Sequence, residues 1–239
     1  MKTVDEILAQ LQQRSSEKYK KNVVRMGIPE RFSLGVPTPE IRKLAKSIGN
    51  SHELALELWD TEYHEARLLS ILLMDVNEIN FSFVEKLMNE VISWDLCDHI
   101  CKNLIINLPN YEEVIFQWCN ENRMYFKRAA YCLISTSLIK FKNIDEEKID
   151  TYLELIKQHS ADSRMHVKKA ISWALREIGK MNHTTHEKAI LTAYDLCEQS
   201  DKNKNWVGKT AQKELSELVS ISERKRLISS KTKMGKLGT

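Results

Sequence analysis

The sequence is poor in the two residues that most often form turns, with 7 glycines and 4 prolines among 239 residues. Average proteins contain about 12% of these two residues together. All-β folds need turn residues roughly every 8–12 positions, so a sandwich, barrel or propeller is disfavoured. The chain also lacks the glycine-rich strings GxGxxG and GxxxxGK[ST], which argues against dinucleotide-binding and P-loop folds.

Long apolar runs and cysteine pairs are missing as well. No apolar stretch approaches 18 residues, so we expect no membrane-spanning segment. Asp5 and Glu6 interrupt the N-terminus, where a secretory signal would be apolar. The 5 cysteines are an odd number without a CxxC pair, which is typical of a reduced cytoplasmic protein and not of a disulfide scaffold.

Helical periodicity runs through almost the whole chain. The apolar residues Val4, Ile7, Leu8 and Leu11 recur at the spacing of one helix face. Thr38 is predicted to cap a helix that continues through Pro39 and ends at Gly49. Further helices are predicted near 51–60, 62–75, 80–92, 94–108, 111–121, 124–141, 145–158, 164–180, 186–199 and 205–218.

A weak internal repeat relates the second helices of successive pairs. Similar strings align on Ala66, Ala129, Ala170 and Ala211, with His99 in the same position and spacings of 30 to 41 residues. HEAT-type repeats are about 40–47 residues long. We expect the alanines to lie at helix contacts. The residue before each aligned position is predicted to line one surface of a solenoid, and these residues are Glu65, Asp98, Arg128, Lys169 and Thr210.

The predicted fold is therefore all-α, a right-handed α-solenoid of HEAT-like antiparallel helix pairs with a concave basic face. Residues 1–223 are expected to form a single repeat domain, followed by a basic C-terminal tail at 224–239. Residues 121–180 carry a net charge of +4 (12 basic and 8 acidic residues), and the tail carries six basic residues and no acid. Clustered positive charge of this kind favours a polyanionic partner.

Two of the predicted helices place aromatic and charged side chains on one face. Trp94 and Asp98 are four residues apart on the first helix. On the second helix, Lys169, Trp173 and Arg176 stand at positions i, i+4 and i+7 and so also share one face. If equivalent positions align in the solenoid, both sets flank Arg128. An aromatic, a carboxylate and several cations on one wall would suit a sugar-phosphate ligand.

Structural roles for the same residues stay open. A helical tryptophan is more often a core residue than a ligand contact, and Asp98 is spaced to pair with Lys102. Lys168 and Lys169 fit a solvated face as well as they fit a phosphate, and the basic tail fits a flexible end. The pairs His183/His186 and Cys97/Cys101 lack further ligands nearby, so we expect no metal and no cofactor.

Several strings, in order, resemble those of the DNA alkylation repair proteins of the AlkD type. They are Gly35–Leu44 (GVPTPEIRKL), Leu58–Asp60 followed by His64–Arg67, Ser93–Asp98 (SWDLCD), Phe126–Ala130 (FKRAA) and Val167–Glu177 (VKKAISWALRE). The resemblance extends from about Arg25 to Leu218. Active members place a further aromatic residue before the position of Gly35, where Tyr19 is the nearby candidate.

This resemblance implies a HEAT-like solenoid whose active members are DNA glycosylases that release positively charged N3- or N7-alkylated purines. Transferred to this chain, the catalytic carboxylate is Asp98, the aromatics that hold the lesion nucleotide's backbone are Trp94 and Trp173, and the essential cation is Arg128. Further contacts to DNA are expected from Lys127, Lys168, Lys169 and Arg176. The expected partner is duplex DNA with alkylated bases, with a nucleoid location when bound and no obligate protein partner.

Three hypotheses follow from the sequence. The first is a DNA glycosylase for cationic alkylated purines, and the second is a HEAT-like protein that binds DNA structures without catalysis. The third is a HEAT-type protein scaffold, which would need an apolar or acidic groove and is disfavoured by the basic 121–180 segment. Only the first requires Asp98 to be accessible beside Trp94.

Overall fold

The computed structural model describes residues 3–141 and 143–237, so parts of the predicted 1–223 domain and of the 224–239 tail lie outside the described residues. About 70% of the structure is helical, which confirms the predicted all-α class. The chain divides into two compact units, residues 1–111 and 112–239. In the part of the chain that the structure describes, no helix is long and apolar enough to cross a membrane.

The first unit is built around one central helix, α5. Its helices are α1 (Val4–Gln13), α2 (Glu17–Arg25), α3 (Thr38–Ile48), α4 (His52–Asp60), α5 (His64–Leu73), α6 (Phe81–Asn89) and α7 (Trp94–Asn103). Short 3-10 turns lie between helices at Glu30–Phe32 and Val76–Glu78, and a third follows α7 at Ile105–Asn107. Helix α5 packs against α3, α4 and α7, and nine of its ten residues are buried. The helix that carries Trp94 is therefore attached to the core through α5.

The second unit shows the alternation expected of helical repeats. Its elements are α8 (Tyr111–Trp118), α9 (Met124–Lys140), α10 (Glu146–His159), α11 (Met165–Gly179), α12 (His183–Glu198), α13 (Lys202–Leu215), β1 (Leu218–Val219), β2 (Ile228–Ser229) and a 3-10 turn at Gly235–Leu237. Helix α11 packs against α9 on one side and α13 on the other, while α10 packs against α12. Alternate helices thus form two layers.

Small residues allow these helices to approach each other closely. The four aligned alanines, which were predicted to lie at helix contacts, are all buried: Ala66, Ala129, Ala170 and Ala211. At Gly208 a Cβ atom would lie 2.6 Å from the carbonyl oxygen of Ala193 and 2.8 Å from the amide nitrogen of Cys197. Only glycine fits where α13 contacts α12 so closely.

Three local features differ from the sequence prediction. Helix α2 was not predicted, because Val23 is its only buried residue and an apolar stripe is therefore absent. Helix α3 is capped by Pro37, and Thr38 is its first residue instead of its cap. A two-residue β ladder pairs Leu218 with Ser229 and Val219 with Ile228, although the glycine and proline content had predicted no sheet.

Candidate functional site

Helix α7 presents the aromatic and the carboxylate at its N-terminal end. The hydroxyl of Ser93 caps this end by accepting a hydrogen bond from the amide of Leu96, at 3.4 Å. Trp94 is the first helical residue and is half-buried, whereas Asp98 is 6% exposed. Four residues separate them, so they lie on one face about one turn apart. Asp98 is therefore almost completely removed from water.

Two histidines fix the rotation of α7 against α5. Nε2 of His64 lies 2.8 Å from Oδ2 of Asp95, and it donates the hydrogen bond because a carboxylate oxygen can only accept. Burial raises the pKa of Asp95, but the bond from His64 and the helix-capping bonds outweigh it and lower that pKa overall. Nε2 of His99 donates to the carbonyl oxygen of Leu68 at 2.9 Å. Both contacts fix how α7, the helix that carries Asp98, is rotated against α5.

The surface row predicted from the repeat is wrong for Glu65. Its side chain is fully buried and accepts hydrogen bonds from the backbone amides of Leu34, Gly35 and Val36 at 2.8, 2.7 and 3.3 Å. The Ser33 hydroxyl adds a fourth bond at 3.4 Å. Glu65 therefore fixes the loop before α3. Asp98 and Arg128 are also buried, and only Lys169 of the row is exposed, because these second helices are covered on most of their surface.

Arg128 on α9 bridges to the neighbouring helix α11. The side chain is 6% exposed, and its Nη1 donates to the carbonyl oxygen of His166 at 2.7 Å. Tyr125 and His166 lie three residues before Arg128 and Lys169, and their rings are 6.1 Å apart. Sequence reasoning missed this ring pair. The i, i+3 spacing to the predicted cations was the signal that could have revealed it.

The lysines predicted to contact DNA differ in their contacts within the protein. Nζ of Lys127 lies 3.6 Å from the buried carboxylate of Asp162, whose pKa is raised by burial but lowered overall by its bonds to Arg164. Nζ of Lys168 lies 5.0 Å above the indole of Trp206 and donates to Asn203 at 3.3 Å. Lys169 is exposed, and no ion pair of its side chain occurs within residues 3–141 and 143–237.

The remaining two predicted site residues on α11 are held by carboxylates. Nε1 of half-buried Trp173 donates to Oε1 of Glu177 at 3.2 Å. Arg176 forms an ion pair with Glu214 and also donates from Nε to the Ser172 carbonyl oxygen at 3.2 Å. The indole and the guanidinium are therefore each bonded to a carboxylate.

The structure brings the predicted residues together in two groups. Trp94 and Asp98 share the start of α7 in the first unit, and Arg128 contacts the first turn of α11 in the second. The other candidates on that helix are Lys168, Lys169, Trp173 and Arg176. The described residues contain no group of three or more His, Cys, Asp or Glu side chains suited to a metal ion.

The chain is similar to known proteins both in sequence and in fold. A family model for the DNA alkylation repair enzyme matches residues 7–215. A solved structure described as a new family of proteins related to the HEAT-like repeat DNA glycosylases, with affinity for branched DNA structures, superimposes with a TM-score of 0.77 at 22% identity. The match covers 90% of this chain and 94% of the other, so the predicted HEAT-like repeat fold is confirmed. A search of curated proteins found no match.

Proposed function

The chain belongs to the DNA alkylation repair enzyme family, and from this premise we propose that it is a DNA glycosylase that releases N3- or N7-alkylated purines from duplex DNA. Alkylation at these positions leaves a positive charge on the base, so the base is already a good leaving group. Little general acid catalysis is then needed. The demand on the protein is to stabilise the positive charge that develops on the deoxyribose as the glycosidic bond breaks.

The observation that carries the proposal is the pairing of Trp94 with Asp98 at the start of α7. Asp98 is 6% exposed, so its negative charge acts in a medium of low dielectric, where it stabilises an oxocarbenium-like sugar more strongly than it would in water. The face of an adjacent indole attracts a sugar that is gaining positive charge. Asp98 can also orient the water that adds to C1′ as the neutral purine leaves.

The residues of the second unit supply affinity for the DNA backbone in this proposal. Lys169 is exposed, so its ammonium group can reach a phosphate. Lys127, Lys168 and Arg176 are half-buried, and Lys127 and Arg176 would have to exchange their carboxylate partners for a phosphate in order to contact one directly. Arg128 is 6% exposed and bonded to the carbonyl oxygen of His166, so in this proposal it contributes a positive charge beside a phosphate. The indole of Trp173 can pack against deoxyribose. No pocket for a flipped base is required if the protein acts through the backbone.

The direct test is release of free base from duplex DNA that carries N7-methylguanine, with the resulting abasic sites counted by alkaline cleavage. The control is a duplex of the same sequence in which the neutral lesion 8-oxoguanine replaces N7-methylguanine. We expect release of the cationic base and none of the neutral one. Equal release of both would contradict a mechanism that relies on the charge of the leaving group.

A second candidate function is binding of DNA structures without catalysis. It is favoured by the solved relative, which is described as having affinity for branched DNA structures. Fluorescence polarisation with a four-way junction and with a linear duplex of the same sequences separates the two. Tighter binding to the junction, with no base released from the methylated duplex, would support this candidate. Comparable binding to both, with base release, supports the glycosylase.

A further inference from the structure

Glu177 on α11 connects a proposed site residue to the C-terminal segment. Its side chain is 9% exposed and accepts hydrogen bonds from three donors. Oε1 accepts from Nε1 of Trp173 at 3.2 Å and from Nζ of Lys180 at 2.9 Å. Oε2 accepts from Nη2 of Arg226 at 2.6 Å. The orientation of the Trp173 ring is therefore linked to a residue 53 positions later in the chain.

The segment that contains Arg226 is docked against the helices. Nη1 of Arg226 donates to the carbonyl oxygen of Leu138 near the end of α9, at 2.6 Å. The amide of Leu227 donates to the carbonyl oxygen of Lys180 at 2.9 Å, and the Leu227 side chain is buried. One guanidinium thus joins the C-terminal ends of α9 and α11. Residues 224–237 therefore include a fixed anchor, in contrast to a flexible tail.

An indole anchored in this way has one defined orientation. Rotation about χ2 of Trp173 would break the bond from Nε1 to Glu177. Charge-assisted bonds of this type are about twice as strong as neutral ones, and the partners in such a network reinforce each other. A ring that is already oriented loses less entropy when it packs against deoxyribose. Lys180 also forms an ion pair with Glu214, the partner of Arg176, so the same network reaches both proposed site residues.

We propose that Arg226 and Glu177 are positioning residues that hold the indole of Trp173 in the orientation needed for its ligand, so that the C-terminal segment is part of the functional site. The inference rests on the proposed function only for the identity of that ligand. The positioning itself is a property of the free protein and can be measured without DNA.

The test combines a spectroscopic readout with a kinetic one. The protein is labelled with 5-fluorotryptophan, and the ¹⁹F resonance of Trp173 is assigned with the Trp173→Phe variant. We expect Arg226→Met to shift or broaden the Trp173 resonance, to leave the Trp94 resonance unchanged, and to lower single-turnover base release about tenfold. Arg226→Lys, which keeps the charge, should recover part of both. Glu177 keeps Lys180 as a partner in Arg226→Met, so no buried charge is left unpaired.

The matched control is Arg224→Met, which removes the same charge from an exposed position of the same segment. It should leave the resonance and the rate unchanged. In the Trp173→Phe background, Arg226→Met should have no further effect on the rate, since the arginine acts through the indole.

An unchanged Trp173 resonance in Arg226→Met overturns the proposal. A shifted resonance with an unchanged rate in an active enzyme overturns its functional half. If the wild type releases no base but the resonance shifts, the positioning stands and the proposed function fails.

Discussion

The two helices that carry the candidate site are stabilised in different ways. Helix α7 is held by hydrogen bonds of two histidines: His64 donates to Asp95, and His99 donates to the backbone carbonyl oxygen of Leu68. Helix α11 is held by ion pairs, with Glu177 and Glu214 bound to lysine and arginine side chains. Under the proposed function, the two kinds of contact would serve different purposes. A buried carboxylate can act on a developing charge, whereas cations at a surface can bind a polyanion and respond to salt.

A second comparison concerns Glu65 and Asp98, which occupy equivalent positions of the repeat. Both residues are buried, Glu65 as the second residue of α5 and Asp98 as the fifth residue of α7. Glu65 accepts four hydrogen bonds from the loop at 33–36, so its role is in the fold. The two residues therefore make a matched pair for separating effects on stability from effects on catalysis.

The largest effect is expected from Glu65→Ala. It removes the acceptor for the backbone amides of Leu34, Gly35 and Val36, of which the last two belong to buried residues. We expect a loss of roughly 3–5 kcal/mol in the free energy of unfolding, measured by urea unfolding followed with circular dichroism. Glu65→Gln keeps one acceptor oxygen and should lose clearly less. A loss below about 1 kcal/mol in Glu65→Ala would mean that the loop is not held by this carboxylate.

A smaller effect is expected on the pH dependence of stability, through His99 on α7. Burial and the nearby Arg42 cation lower the pKa of His99 to about 4. In the unfolded chain the His99 imidazole therefore binds a proton below about pH 6.5, whereas in the folded chain it binds one only below about pH 4. Stability should fall by on the order of 2–3 kcal/mol as pH drops from 7 to 4.

His99→Gln keeps a donor for the Leu68 carbonyl oxygen and should flatten this dependence in urea unfolding measured at several pH values. His183→Gln changes an exposed histidine and serves as the control. An equally steep pH dependence in His99→Gln would show that another group is responsible.

The smallest effect on the fold is expected from Lys169→Ala. The side chain is exposed, so the free energy of unfolding should change by no more than about 0.5 kcal/mol. Affinity for duplex DNA should fall, and the slope of log affinity against log salt should decrease by about 0.9 if one phosphate contact is lost. Lys86→Ala, an exposed lysine on α6, is the control. The same slope in wild type and Lys169→Ala would remove Lys169 from the interface.

Much of the helical framework was predictable because it follows from local patterns. The apolar stripe of α1, for example, lies within a few consecutive residues. The β ladder at Leu218 and Ser229 could not be predicted, since two-residue strands have no alternation to recognise. Helix α2 was missed because it depends on contacts with the rest of the unit and has a single buried side chain, Val23.

The sequence suggested candidate site residues, but it could not suggest their hydrogen-bond and ion-pair partners. Spacing identified Trp173 and Arg176 as neighbours on one helix face. Trp173 is bonded to Glu177 on the same helix, whereas Arg176 is paired with Glu214, 38 positions later in the chain. Long-range pairs of this kind, and the bond from Arg226 to Leu138, arise from packing of helices and leave no local pattern.

The most direct test of the account separates chemistry from binding at Asp98. Single-turnover release of N7-methylguanine and affinity for the same duplex are measured for wild type, Asp98→Asn and the matched Glu65→Gln, each at a temperature where the variant is folded. The account predicts at least a tenfold lower rate for Asp98→Asn, about 1.4 kcal/mol of barrier, with unchanged or slightly higher affinity, and a wild-type rate for Glu65→Gln. Equal rates for wild type and Asp98→Asn would contradict a catalytic role for the carboxylate.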